Sequence, residues 1–296
     1  MNWKTFAALL MRDAHVARRN AKSLLLQVLF QPMMFVFVFG RVMTTSGFMN
    51  ADYKQLLLPG IIAISMVFSG IWSVAMPLIA EFQFTKEIED RLLAPMDIEW
   101  LAVEKIVAGM VQALVAGFIV IPLGSLVMGS GWQSVLTHPL LLIALALLVS
   151  FLAAAIGLTI GCSVGQTQVG LMFSLVVTPM IMFGCAYYPW SALSKFPILQ
   201  KAVLINPLVY ASEGFRSALA PGFPHLPVGI CLAALAAFDV AFLTAGLVDE
   251  LYLEQVPLLL GGGIRLFGNL TQPIELERIR VVEAPGVTHL RFRVVK

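Results

Sequence analysis

Charged residues are scarce in this chain. They make up 12% of its 296 residues, against 59% hydrophobic residues. A soluble domain carries about 25% charged and about 45–50% apolar residues. The shortage excludes a soluble globular enzyme. A mean hydropathy of +0.89 also excludes a disordered chain, which needs low hydrophobicity and high charge. The net charge of +2 is too small a basic excess for a nucleic-acid surface. Cysteine is rare. Cys162, Cys185 and Cys231 lie in or at the ends of apolar segments, with no C-x-x-C spacing. Neither a disulfide framework nor a zinc site is expected, and the three read as small buried hydrophobes. The histidines, His15, His138, His225 and His289, fall in different segments. No pair has metal-ligand spacing, and no Ser/His/Asp arrangement can be argued. Metal and catalytic residues are therefore both expected to be absent. No G-x-x-x-x-G-K-[ST] occurs either. Gly261-Gly262-Gly263 runs into Ile-Arg-Leu-Phe, without the phosphate-binding lysine, and reads as a bulge or turn. Any ATP hydrolysis belongs to a separate chain.

What is abundant is the long apolar run. A hydrocarbon core of about 30 Å needs about 20 mostly apolar residues per helix. Six stretches qualify: Ser23–Arg41, Leu56–Leu78, Ile106–Met128, Leu140–Cys162, Val169–Tyr187 and Val228–Leu247. The expected fold is an all-α polytopic membrane protein with six transmembrane helices, an N-terminal interfacial helix and a short β-rich C-terminal tail. The third and fourth runs are joined by GSGWQSVLTH and the fourth and fifth by SVGQTQ, so these neighbours form antiparallel hairpins. Orientation follows from Lys and Arg in the flanks. With the N-terminus inside, the inner flanks hold eight and the outer flanks five, and the tail adds six more inside. Both termini are expected in the cytoplasm.

Met1–Lys22 is a charged segment with Lys4, Arg12, Asp13, Arg18, Arg19 and Lys22, which is not the pattern of a cleavable signal peptide. Trp3, Phe6, Ala7 and Leu10 fall on one helical side, which suits a helix lying in the membrane interface. The alternative is a leader that only sets topology. The loop Glu81–Lys105 is the most charged internal stretch. Within it Phe84, Ile88 and Leu92 recur at i, i+4, i+8, one apolar stripe on a short helix that Pro95 ends. This helix with its acidic face reads as a docking element, or else as a solvated loop. Tyr188–Pro227 carries six prolines between two short helical patterns, Leu193–Leu204 and Tyr210–Ala220. Such helices suit the outer interface, and dip into the membrane only where protein shields them. After Leu247 the pattern turns to period 2, with a hairpin expected around Pro285-Gly286.

Gly157, Gly161 and Gly165 recur at i, i+4, i+8, as do Ser65, Ser69 and Ser73. Small residues on one face let helices approach closely, and both series read as seams, within the subunit or at a dimer interface. Asp239 lies near the middle of the last run. A carboxylate at that depth is costly and marks either an internal polar pathway or a structural partner to a neighbouring helix. Gln31 and Gln112 are weaker cases of the same kind.

Residues 1–247 resemble the permease subunit of ABC-2 type exporters, in the daunorubicin-resistance and nodulation-export branch. The resemblance rests on the charged first segment followed by a run with Gln31-Pro32, on Glu81 with T-K-E-I-E-D-R-L-L-A-P at Thr85–Pro95, on the six-run count, and on N-P-L-V-Y-A-S-E-G-F-R at Asn206–Arg216. Where the family has Gly-Thr, this chain has Phe84-Thr85. The resemblance implies a bacterial plasma-membrane protein that exports a hydrophobic or amphipathic, drug- or antibiotic-like small molecule. It also implies a cytoplasmic ABC ATPase partner, which holds the ATP and Mg, and a second permease copy, with no cofactor in this chain. Glu81, Thr85, Glu87, Ile88, Glu89, Asp90, Arg91 and Leu92 would then couple to the ATPase. Export of a lipid-linked saccharide or envelope component is the alternative in the same class. Residues 248–296 resemble instead a fragment of a dihydrofolate-reductase-like domain of the riboflavin-type reductases, through V-D-E-L-Y-L-E-Q-V-P-L-L-L-G-G-G-I-R-L-F and V-V-E-A-P-G-V-T-H-L-R-F-R-V. A membrane-anchored reductase is thus a reading from another class. It is disfavoured because the strands and glycines that would hold a cofactor have no counterpart. A purely structural membrane subunit is a third.

Overall fold

The computed structural model describes residues 3–19, 30, 33–34, 36–47, 53–82, 98–128, 138–244, 250–255, 276–284 and 287–294. Three of its helices are long and apolar enough to cross a membrane, among the described residues. They are α2 (Tyr53–Ala80), α3 (Ile98–Met128) and α4 (Pro139–Ser163). Ahead of them stands α1 (Trp3–Arg19), which ends on Arg18 and Arg19. Basic residues there complement the helix dipole. The first predicted run is described only in part, as helix with a π-helical turn at Val38–Val42.

The three long helices pack side by side. Gly70 of α2 lies against Ala153 of α4 and Ala113 of α3, while Gly157 and Gly161 of α4 lie against Ile71, Val74, Ala75 and Leu78 of α2. Positions therefore increase together along α2 and α4, which run parallel, and α3 runs antiparallel to both. A Cβ on Gly157 would stand 2.8 Å from the Ile71 carbonyl oxygen, so only glycine permits that approach. Leu57, Ile61, Met66, Leu145, Leu152 and Phe215 form the fully buried centre. The opposite faces are apolar too: Val111, Val115 and Phe118 on α3, and Leu140, Ile143 and Leu147 on α4, are exposed. Helices with both faces apolar suit a hydrocarbon solvent.

Two boundaries differ from the sequence reading. Helix α3 starts at Ile98, eight residues before the predicted run, so the last part of the predicted Glu81–Lys105 loop is helical. Two of its charges, Glu104 and Lys105, are buried, and the Lys105 ammonium is paired. The fifth run is helical only over α5 (Val169–Met182), with a π-helical turn at Phe173–Val177. Beyond it the chain bends, with Cys185 at φ 52°. The freed Met180 carbonyl accepts a hydrogen bond from Asn206 Nδ2 at 2.7 Å, so the helix ends without an orphan group there.

After the bend come a 3-10 turn at Trp190–Lys195, the short helix α6 (Pro197–Ala202), a second 3-10 turn at Val203–Ile205, and α7 (Pro207–Leu219). Asn206 caps α7 by accepting from the Leu208 N–H, and Pro207 sits where its missing N–H costs nothing. Unlike the interfacial helix expected here, α7 is buried from Leu208 to Leu219 except for half-buried Tyr210, packed on α2, α4 and α8 (Val228–Thr244). The tail holds β1 (Glu250–Gln255), β2 (Leu276–Ala284) and β3 (Val287–Val294). They form an antiparallel sheet in the order β1-β3-β2, with a register irregularity between Arg278 and Arg280.

Candidate functional site

Charge is costly in an apolar bundle, so the places that hold it are informative. Two buried clusters stand at opposite ends of α2. The first joins α1, α2 and α3. Lys105 Nζ donates to Asp13 Oδ2 at 3.1 Å and to Glu81 Oε1 at 2.9 Å. The lysine side chain is 6% exposed, Asp13 19% and Glu81 10%. One cation thus ties the N-terminal helix, the π-helical end of α2 and the start of α3. Phe6 reinforces the join by packing edge-on against Trp100, ring centroids 5.9 Å apart. The apolar side of α1 therefore meets α3 through Phe6. Glu104, beside Lys105, is fully buried. The cluster flanks both ends of residues 83–97, the segment in which the docking element is expected.

The second cluster centres on α7. Glu213 and Arg216, one helical turn apart, form an ion pair through Oε1 and Nη1, with side chains 1% and 0% exposed. Glu213 Oε1 also accepts from the Trp190 N–H at 2.8 Å, and Oε2 from the Leu226 N–H at 2.9 Å. Arg216 Nη2 donates to the Cys185 carbonyl at 2.9 Å. Burial pushes the Arg216 guanidinium below its usual pKa, and the Glu213 carboxylate opposes that shift. Arginine stays protonated in proteins, so the pair is ionic. Nearby, the Tyr53 hydroxyl donates to the Tyr187 carbonyl at 2.6 Å, fastening the start of α2 to the bend after α5. Trp190 Nε1 and Tyr210 OH close further backbone carbonyls, at Gln200 and Leu204.

The described bundle thus holds buried ion pairs at both ends of α2. Residues 4–220 match the family model described as ABC-2 type transporter. The chain belongs to the ABC-2 type transporter family. It is a transmembrane permease and a transport subunit of that family. The match takes in both charged clusters except Leu226, and ends before α8 and the tail. Among curated proteins no match is found.

Within this ABC-2 permease the residues singled out from sequence scatter. Glu81 is buried and ion-paired. Thr85, Glu87, Ile88, Glu89, Asp90, Arg91 and Leu92 lie outside the described residues, as does Gln31. Gln112 is half-buried on α3. Asp239 is 7% exposed on α8, and its Oδ1 has no hydrogen-bond partner among the described residues. Gly157 and Gly161 line the contact between α4 and α2. Gly165 follows the end of α4 and is half-buried. Two of the three serines turn their hydroxyls back on their own helix: Ser65 donates to the Ile61 carbonyl and Ser73 to that of Gly70. Ser69 is buried. No group of three His, Cys, Asp or Glu is placed to hold a metal among the described residues.

Sequence reasoning gave no site role to Asp13, Glu104, Lys105 and Glu213, and took Arg216 as an outer-flank charge and the last residue of the Asn206–Arg216 motif. A signal was present. Glu213 and Arg216 sit at i, i+3 within an otherwise apolar and small-residue helix, and Glu104-Lys105 directly abuts an apolar run. Charges in such settings are paired or functional.

Proposed function

We propose that this chain is the membrane half of an ATP-driven exporter whose ATPase is a separate cytoplasmic protein holding ATP and Mg. Two permease copies and two ATPase subunits make the working unit. Six spans, with both termini in the cytoplasm of a bacterial cell, place the α1 end of the bundle inside and the α7 end outside. The segment Phe84–Leu93 receives the ATPase, and Glu81, beside it, hands the movement to the spans. The observation that carries this reading is the Lys105 cluster. A stroke delivered to residues 83–97 reaches α2 through Glu81, α3 through Lys105 and α1 through Asp13, because one buried cation links all three.

The substrate is a hydrophobic or amphipathic small molecule. The described spans expose apolar faces, and the charges they carry at the two clusters are buried in pairs. Residues 248–296 form a separate appendage without reductase chemistry. The test is co-expression with a candidate ABC ATPase from the same cell, followed by affinity purification on the permease. Co-purification in equal amounts, with ATP-dependent uptake of a lipophilic dye into inside-out vesicles, is the expected result. A permease that purifies alone, with no ATP-dependent uptake, overturns the reading.

A further inference from the structure

The Glu213–Arg216 pair does more than fill the core of α7. A buried ion pair gains little stability over apolar side chains of the same volume. Its presence at 1% and 0% exposure therefore calls for another role. Its partners point to one. Glu213 accepts from Trp190, after the α5 bend, and from Leu226, in the connection to α8, while sitting on α7. Arg216 holds the bend itself through the Cys185 carbonyl. Three separate chain segments thus converge on one pair, and each is held by its backbone.

Two further observations show that this arrangement is not a relaxed one. Cys185 is a non-glycine residue in the left-handed region, at φ 52°, a conformation that surrounding contacts must impose. The contact that grips it is Arg216. The Arg216 Nε–H is buried without a hydrogen-bond partner among the described residues, as is the Ser212 hydroxyl one turn earlier. Fully buried donors are nearly always satisfied. A strained residue and an unspent donor on the same charged group mark an element with a second arrangement.

We infer that Glu213–Arg216 is a latch that holds the α5 bend, α7 and the α8 connection closed over the α7 end of the bundle, and that it parts during each transport cycle. The inference rests on the exporter reading above, which places that end on the outer side. When the carboxylate releases Trp190 and Leu226, the bend and the connection are free to separate from α7.

The protein carries its own reporters. Cys185 and Cys231 are buried in the hydrophobic cluster that includes Leu226, while Cys162 is exposed. In a Cys162→Ala background, reconstituted with the ATPase, N-ethylmaleimide labelling of Cys185 and Cys231 is timed with and without ATP, alongside dye transport. A latch populated open at about 0.1–10% at rest and cycling under ATP raises labelling about tenfold or more during turnover. Glu213→Gln removes the ion pair and should label fast without ATP. Labelling that stays at its resting rate while ATP-driven transport proceeds overturns the latch and leaves the exporter reading intact. Absence of ATP-driven transport in the same vesicles overturns both.

Discussion

At the residue scale, this membrane domain depends on a few positions where the surroundings permit no substitute. Lys105 is the cation shared by Glu81 and Asp13. Removing one partner of a buried pair costs about 3–5 kcal/mol, because a charge is left behind. Lys105→Met should lower the unfolding temperature of the detergent-solubilised protein and abolish ATP-driven transport. Asp13→Asn should cost less, since Asp13 is the most exposed member at 19%. Equal losses in thermal scans would show that the three do not act as this geometry implies. Gly60 is a second such position. A Cβ there would run into the Ala186 carbonyl, backbone against backbone, where no side chain can move aside. Overpacking costs about 1–3 kcal/mol even where side chains yield. Gly60→Ala should cut the monodisperse yield in size-exclusion chromatography, while Gly222→Ala, with nothing within 4 Å of its Cβ, should be silent.

At the scale of elements, the informative ones are those that stop or start where apolarity alone would not place them. Helix α3 extends back to Ile98 and takes Glu104 and Lys105 inside. It thereby carries the shared cation to within reach of α1 and α2. Helix α5 stops at Met182 and leaves room for the bend that Arg216 grips. The docking element at Phe84–Leu93 is tested by Ile88→Asp with Leu92→Asp. The double variant should insert normally, yet lose substrate-stimulated ATP hydrolysis in the reconstituted complex. Unchanged stimulation would reduce this segment to a connection.

At the scale of the whole molecule, two expectations remain to be measured. Reporter labelling should place Met1 and Lys296 in the cytoplasm and Lys195 outside, and termini on opposite faces would end the six-span arrangement. Truncation after Leu247 should leave dye export unchanged. Three strands with open edges at β1 and β2 make only a small sheet, and it lies outside the matched family region. Saturable nicotinamide-cofactor binding by the intact chain, lost on truncation, would revive a reductase role.

Membrane class and the main apolar helices were legible in the sequence because each is a property of composition over about 20 neighbouring residues. A run such as Leu140–Cys162 must be a helix in lipid, where no water satisfies its backbone. The motif at Asn206–Arg216 pointed to the family by the same local logic. Which charges come together was not legible. Asp13 and Lys105 are 92 residues apart, and Cys185 and Arg216 are 31, so their pairing follows only from which helix ends the fold brings together. Arg216 looked like a flank charge because it lies between two apolar runs. What buries it is α7 lying against α2, α4 and α8, a contact that no local pattern encodes. Where the chain crosses the membrane is set by its own apolar surface, and which charges it shelters there is set by helices that meet only in three dimensions.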